Sequence, residues 1–205
     1  DLFFNATFGI PELQLLAAAG VDAIAGGNHE FDLGPEVLAG ALGEAFPNGE
    51  VPLLSANLDI SGFPALSAFI QPSTIREVAG VKVGIFGMTV PDDPLMRPDP
   101  VQVLGAGDPE LLLGLAGVQV AGLRAAGAQV VVCLSHLGHA YDRALAENVP
   151  GVDLIVGAHD HLELFEPAQV ENPSGGTTLI VSAGSHYRYV GRLRVDAGPD
   201  GVRLL

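Results

Sequence analysis

Three short stretches of the chain carry more polar chemistry than their surroundings. GGNHEFDLG, residues 26–34, sets an amide, an imidazole and two carboxylates at Asn28, His29, Glu30 and Asp32, directly behind the mostly apolar run 21–25. LSHLGH, residues 134–139, places His136 behind an aliphatic run, and AHDH, residues 158–161, places His159 and His161 on either side of Asp160 behind another. Neutral imidazoles, an amide oxygen and carboxylates make a mixed nitrogen and oxygen donor set, suited to manganese, iron, zinc or cobalt in five- or six-coordination and unlike an all-sulfur structural zinc site. The amide of Asn28 matters because a neutral ligand leaves a metal electrophilic. Two such ions about 3.5 to 4 Å apart would polarise a phosphoryl oxygen, generate a hydroxide nucleophile between them and neutralise charge as a P–O bond breaks. His139 in the same loop as His136, His186 in SHYRY, and Asp142, Asp92 and Asp93 are read as structural, the three aspartates as helix-capping or turn residues.

Such chemistry requires elements that carry the three stretches to one place. A proline near the start and a glycine at the end bracket a helix over 10–20, which leads into a strand at 21–25. Further helices are expected over 35–46, 109–126 and 140–148. Strands are expected over 52–57, 129–134, 152–156, 178–182 and 189–195, with a hairpin of 74–78 and 81–87 turning at Ala79-Gly80. The Pro- and Asp-rich segment 91–109 reads as a long loop and ENPSGG, 171–176, as a turn. Early βα alternation followed by antiparallel pairing argues an α/β sandwich with a mixed sheet. His29, His136, His159 and His161 each follow a strand, and the carboxyl ends of strands are where α/β sheets bind ligands, so separated segments deliver polar groups to one rim. The i, i+2 spacing of His159 and His161 puts both rings on one side if the segment is extended.

Composition bounds the partners. The 205 residues, 48% of them hydrophobic, can bury a substantial core and are most simply one domain. Twenty-four acidic against 9 basic residues leave a net charge of −15 with a single lysine, Lys82, which argues against a nucleic-acid backbone as partner. An acidic chain that handles a phosphate must hold it with bound cations or a few placed arginines. The only cysteine, Cys133, sits in the apolar run 130–134 and reads as core, in a central strand buried on both faces, as does 154–156. No apolar run approaches the roughly 20 residues of a membrane-spanning helix.

Taken together, GNHEFD (27–32), SANL (55–58), VKVGIFGMTVPD (81–92), LSHLGH (134–139), VDLIVGAHDH (152–161) and SAGSHYRYVGRL (182–193) resemble the catalytic domain of the calcineurin-like metallophosphoesterases, and within it the 5′-nucleotidase / UDP-sugar hydrolase branch. The resemblance covers nearly the whole chain and preserves motif order. It implies a four-layer α/β/β/α sandwich of two mixed sheets flanked by helices, two divalent ions (Mn, Zn, Fe or Co), and release of phosphate from a nucleotide or other small phosphoester by metal-bound hydroxide. It implies that Asn28, His136 and His159 bind the second metal and His161 the first, while His29, oriented by Asp32, faces the substrate and Glu30 is a structural hydrogen-bonder. The family's Asp-x-His motif occurs nowhere in the sequence. The expectation is therefore a catalytic domain over 1–205 that begins after that motif and its strand, with Asp1 as the metal-bridging carboxylate, the second metal site better formed than the first, and no C-terminal substrate-binding domain. The resemblance also implies a periplasmic or extracellular location. Two alternatives stay open: a 2′,3′-cyclic-nucleotide phosphodiesterase/3′-nucleotidase or thiosulfohydrolase type of relative, which carries Asn or Thr where this chain has Asp32, and an inactive binding domain that lacks the first metal site.

Overall fold

The computed structural model describes residues 6–91, 101–198 and 201–204, so Asp1, Asp92 and Asp93 lie outside the described residues. In chain order the elements are α1 (Ile10–Ala18), β1 (Ile24–Ala25), α2 (Pro35–Ala45), β2 (Leu53–Leu54), β3 (Leu58–Asp59), β4 (Ile70–Gln71), β5 (Ser73–Val78), β6 (Val81–Thr89), β7 (Gln102–Val103), α3 (Pro109–Ala125), β8 (Val130–His136), α4 (His139–Asn148), β9 (Leu154–Gly157), β10 (Ala168–Glu171), β11 (Thr177–Val181), β12 (Val195–Gly198) and β13 (Gly201–Leu204). The larger sheet runs β10-β11-β9-β8-β6-β5. Its inner strands β6, β8, β9 and β11 are parallel, while β5 and β10 close the edges antiparallel. A smaller parallel sheet, β1-β2-β4, packs against β6 and β8.

Local chemistry explains the boundaries. Ala79 and Gly80 both take positive φ, 51° and 82°, which is what a two-residue hairpin loop needs to match the twist of β5 and β6. Pro109 opens α3, and the Asp108 side chain accepts from the Leu111 N–H at 3.0 Å as its N-cap. Helices α3 and α4 cover one face of the large sheet, where Leu112, Val120, Leu123 and Leu145 meet Phe86, Val131, Cys133 and Ile155. Helix α2 covers the small sheet with Leu38, Leu42 and Phe46 against Leu53 and Ile70. The order is helix, sheet, sheet, helix, the expected four layers.

The two sheets approach through glycine. A Cβ on Gly87 of β6 would overlap the Leu54 carbonyl of β2, and the Ala56 N–H instead donates to the Gly87 carbonyl at 2.8 Å.

Several boundaries differ from the sequence reading. The strand expected over 189–195 is absent: residues 187–194 have no regular structure and β12 begins at Val195. The strands expected at 21–25 and 52–57 shrink to two residues each. Val156 is 38% exposed rather than buried, although Leu154 on the same face of β9 is buried. Cys133 is fully buried in the central strand β8.

Candidate functional site

The parallel strands β6, β8 and β9 end together, and the residues at and just beyond those ends form the site. Strand β8 runs two residues past its aliphatic stretch, so His136 is its last residue, in register with Thr89 of β6. Thr89 donates from Oγ1 to the Gly26 carbonyl at 2.7 Å, tying the end of the small sheet to the end of the large one. Behind this tie lies a buried polar network. The Asn57 amide donates to the Thr89 carbonyl at 2.8 Å, its Oδ1 accepts from the Thr89 N–H at 2.8 Å, and Ser55 Oγ lies 2.8 Å from Thr89 Oγ1. Every buried polar atom so paired keeps its cost low, and the geometry of 26–28 becomes rigid.

From that base Asn28, itself buried, aims Oδ1 at His136 Nε2, 3.0 Å away. The rings of His136 and His159 lie 5.3 Å apart, tilted by 58°. Gly27 makes this approach possible, because a Cβ there would come within 2.8 Å of His136 Cε1. Glu30 turns back inside the turn and accepts from the Gly27 N–H at 2.6 Å. Burial pushes its carboxyl up, against the opposing pull of that N–H. It is a structural hydrogen-bonder, as read from the sequence.

His29 points elsewhere. Its Nδ1 is 2.9 Å from Asp32 Oδ2, in a short 3-10 turn over His29–Phe31, and its side chain is 64% exposed. The carboxylate fixes which nitrogen faces inward and leaves Nε2 open to solvent.

The 159–161 segment is not extended. His159 and His161 take left-handed backbone angles, φ 81° and 58°, which for non-glycine residues store on the order of 1–3 kcal/mol of strain each. Asp160 offsets part of that by accepting from the His139 N–H at 2.8 Å, at the start of α4. The rings of His161 and His186 stand 6.1 Å apart. His186 lies in a turn with φ 60° and not on a strand. Asp142 is neither a cap nor a turn residue: it is buried inside α4 and accepts from Ser135 Oγ. Burial holds its carboxyl up at about 7, with Asp160 nearby adding to the rise and the Ser135 hydroxyl opposing it.

Whether these groups fit a metal is testable on the donor atoms. Two ligands at right angles on one ion, each about 2.1 Å from it, stand about 3.0 Å apart. Asn28 Oδ1 and His136 Nε2 have that separation. Among the described residues no group of three or more His, Cys, Asp or Glu side chains forms a cluster of its own. The groups brought together are two imidazoles and an amide, and the donor-atom separation of Asn28 and His136 is one that a single ion would span. Sequence reasoning missed the supporting groups Ser55, Asn57, Thr89, Ser135 and Asp142. The signal available for Ser55, Thr89 and Ser135 was a small polar residue in or at the end of an otherwise apolar strand segment, and for Asp142 a carboxylate beside the apolar positions Leu145 and Ala146 of a helix.

No family model matches the chain. The trifunctional nucleotide phosphoesterase protein YfkN of Bacillus subtilis (strain 168) is 30% identical over 98% of this chain, which spans 15% of that protein. The 5′-nucleotidase of Diplobatis ommata is 30% identical over 95% of this chain and 35% of its own length. The solved 5′-nucleotidase precursor from Thermus thermophilus superposes with a TM-score of 0.79 at 35% identity, covering 89% of this chain and 37% of that one. The chain thus spans 15% to 37% of the length of these three relatives. Its fold is that of the calcineurin-like phosphoesterases. Within that class the chain is a relative of the 5′-nucleotidases.

Proposed function

We propose that the chain is the catalytic domain of a metal-dependent phosphoester hydrolase of 5′-nucleotidase type, acting on a nucleotide or other small phosphoester. The observation that carries this reading is the convergence of Asn28, His136 and His159 from three strand ends, beside a separate His29–Asp32 pair. Asn28, His136 and His159 would hold one divalent ion, and His161, with Asp1 as a bridging carboxylate, would contribute to a second. Manganese, zinc, iron or cobalt in those positions would act as Lewis acids on the phosphoryl group and lower the barrier to attack by water. The residues of the chain do the rest. Asp32 holds the His29 ring, whose open Nε2 meets charge developing on a phosphoryl or leaving-group oxygen. Asp32 also favours the 5′-nucleotidase reading over the cyclic-nucleotide and thiosulfohydrolase types. No helix among the described residues is long and apolar enough to cross a membrane, and the relationship supports a periplasmic or extracellular setting.

The test is phosphate release by the purified protein supplied with manganese. A nucleoside 5′-monophosphate should be cleaved faster than the 3′-monophosphate or a 2′,3′-cyclic nucleotide, and a chelator should abolish release until manganese is restored. Release no greater than that of a His29→Ala/His136→Ala double variant overturns the reading.

A further inference from the structure

The first turn of α4 sits directly behind the end of β8, which carries His136, and the loop that carries His159, and it holds both. At one side Asp142 accepts from Ser135 Oγ, and the same oxygen accepts from the Leu137 N–H at 3.2 Å. The residues on either side of His136 are therefore tied through one hydroxyl to one carboxyl. At the other side the His139 N–H donates to Asp160 Oδ2, between His159 and His161. Asp142 also touches the end of β9: a Cβ on Gly157 would overlap Asp142 Oδ2, so glycine is what lets the carboxyl reach that strand. Both Asp142 and Ser135 are 1% exposed.

A carboxyl in such a place is costly. Its neighbours on the helix, Leu145 and Ala146, are core residues, and an aliphatic side chain would fill the same space without desolvating a polar group. We propose that Asp142, acting through Ser135, is a positioning residue for His136 that sets the ring where it meets Asn28 Oδ1. The proposal rests on the metal-site reading above for its consequence in binding, but the positioning itself is a property of the metal-free protein. Groups that hydrogen-bond directly to a ligand are commonly worth about 10- to 100-fold in metal affinity, and Asp142 acts on His136 one residue further back, through the backbone of Ser135 and Leu137. The raised carboxyl of Asp142 agrees with this role, since a neutral acid makes the same contacts as its amide analogue.

The experiment combines histidine-ring NMR of the metal-free protein with manganese titration, after circular dichroism has established that each variant is folded. The His136 signals are assigned by their loss in His136→Gln. Asp142→Ala should shift or broaden the His136 ring signals, leave those of the exposed His29 in place, and weaken manganese binding at least 10-fold. Asp142→Asn keeps an acceptor for Ser135 and should weaken binding by less than about 10-fold, below the range for lost supporting contacts. A merely structural residue would lower the melting temperature without this split. Ser135→Ala removes the other partner and decides the matter if Asp142→Ala does not fold. Unmoved His136 signals in Asp142→Ala and Ser135→Ala, or an Asp142→Asn as impaired as Asp142→Ala, overturn the proposal. If the unmodified protein takes up no manganese while the variants still move the His136 signals, the metal reading falls and the positioning stands. If manganese binding is intact and the signals stay unmoved, the positioning falls and the metal reading stands.

Discussion

His29 and His159 bring the same ring to the same rim on different supports. His29 is held by a carboxylate three residues away, 2.9 Å from its ring nitrogen, whereas His159 sits on a left-handed backbone beside His136. The first needs no metal to keep its place. His29→Ala should therefore lower kcat by roughly 10²-fold while metal content by elemental analysis stays intact, as expected for loss of a transition-state contact or acid catalyst. His159→Ala should instead lower metal occupancy, and Asp32→Asn should behave as a milder His29 variant. Loss of metal in His29→Ala would remove the distinction. Asp142 carries a different prediction, about pH. The unfolded chain ionises this carboxyl near 3.8, and the folded protein keeps the proton up to about 7. Between those values the unfolded state binds fewer protons than the native one, so this group's contribution to stability falls as pH rises. The loss reaches a ceiling on the order of 4 kcal/mol above neutrality. An amide has no such proton to lose. The difference in melting temperature between Asp142→Asn and the unmodified protein should grow from pH 5 to pH 8 in the variant's favour, and a difference independent of pH would show that the carboxyl titrates as it does in the unfolded chain.

At the scale of elements, the helices and the hairpin follow from local signals, while the strands of the small sheet do not. Helix α3 has its cap, its proline and a helical apolar period, and the β5–β6 turn has its two positive φ angles. Strands β1 and β2 are two residues long and persist because they pair with each other and lie on β6 and β8. Their stability is tertiary, so no alternation in the sequence marks their ends. Gly87 is where the dependence is sharpest. Gly87→Ala would drive a methyl group into the Leu54 carbonyl, a backbone atom that cannot rotate aside. Overpacking of this kind costs about 1–3 kcal/mol or more. The urea midpoint should fall accordingly, and an unchanged midpoint would mean that the two sheets are not held together at this point.

Across the whole molecule, Cys133 offers a probe of cooperativity. It is the only cysteine, fully buried in the central strand of the six-stranded sheet, and burial raises its thiol well above the usual range. Alkylation requires both exposure and a thiolate. Iodoacetamide should leave the native protein unmodified over hours and label it stoichiometrically in denaturant, with a labelling rate that tracks global unfolding measured by circular dichroism. Ready labelling without denaturant would mean that β8 opens locally. The acidic excess, −15 overall, makes an anionic substrate depend on the rim itself rather than on surface attraction.

Residue identity and local periodicity were enough to nominate Asn28, His29, His136, His159 and His161, because donor chemistry is a property of side-chain type and strand ends can be placed from apolar runs, while Asp32 as the partner of His29 came from the family resemblance. The same local information placed Cys133 in the core and the turn at Ala79-Gly80. Only the tertiary structure decided which of these groups meet. Asn28 and His136 are 108 residues apart in the chain, and their contact depends on Gly27 lacking a Cβ and on Thr89 joining two sheets. It also decided that His159 and His161 are left-handed rather than extended, that residues 187–194 form no strand, and that Asp142 is buried within a helix against Ser135 rather than capping it. Those outcomes are set by contacts between distant elements, whose energies outweigh the weak local preferences on which a reading of neighbouring residues relies.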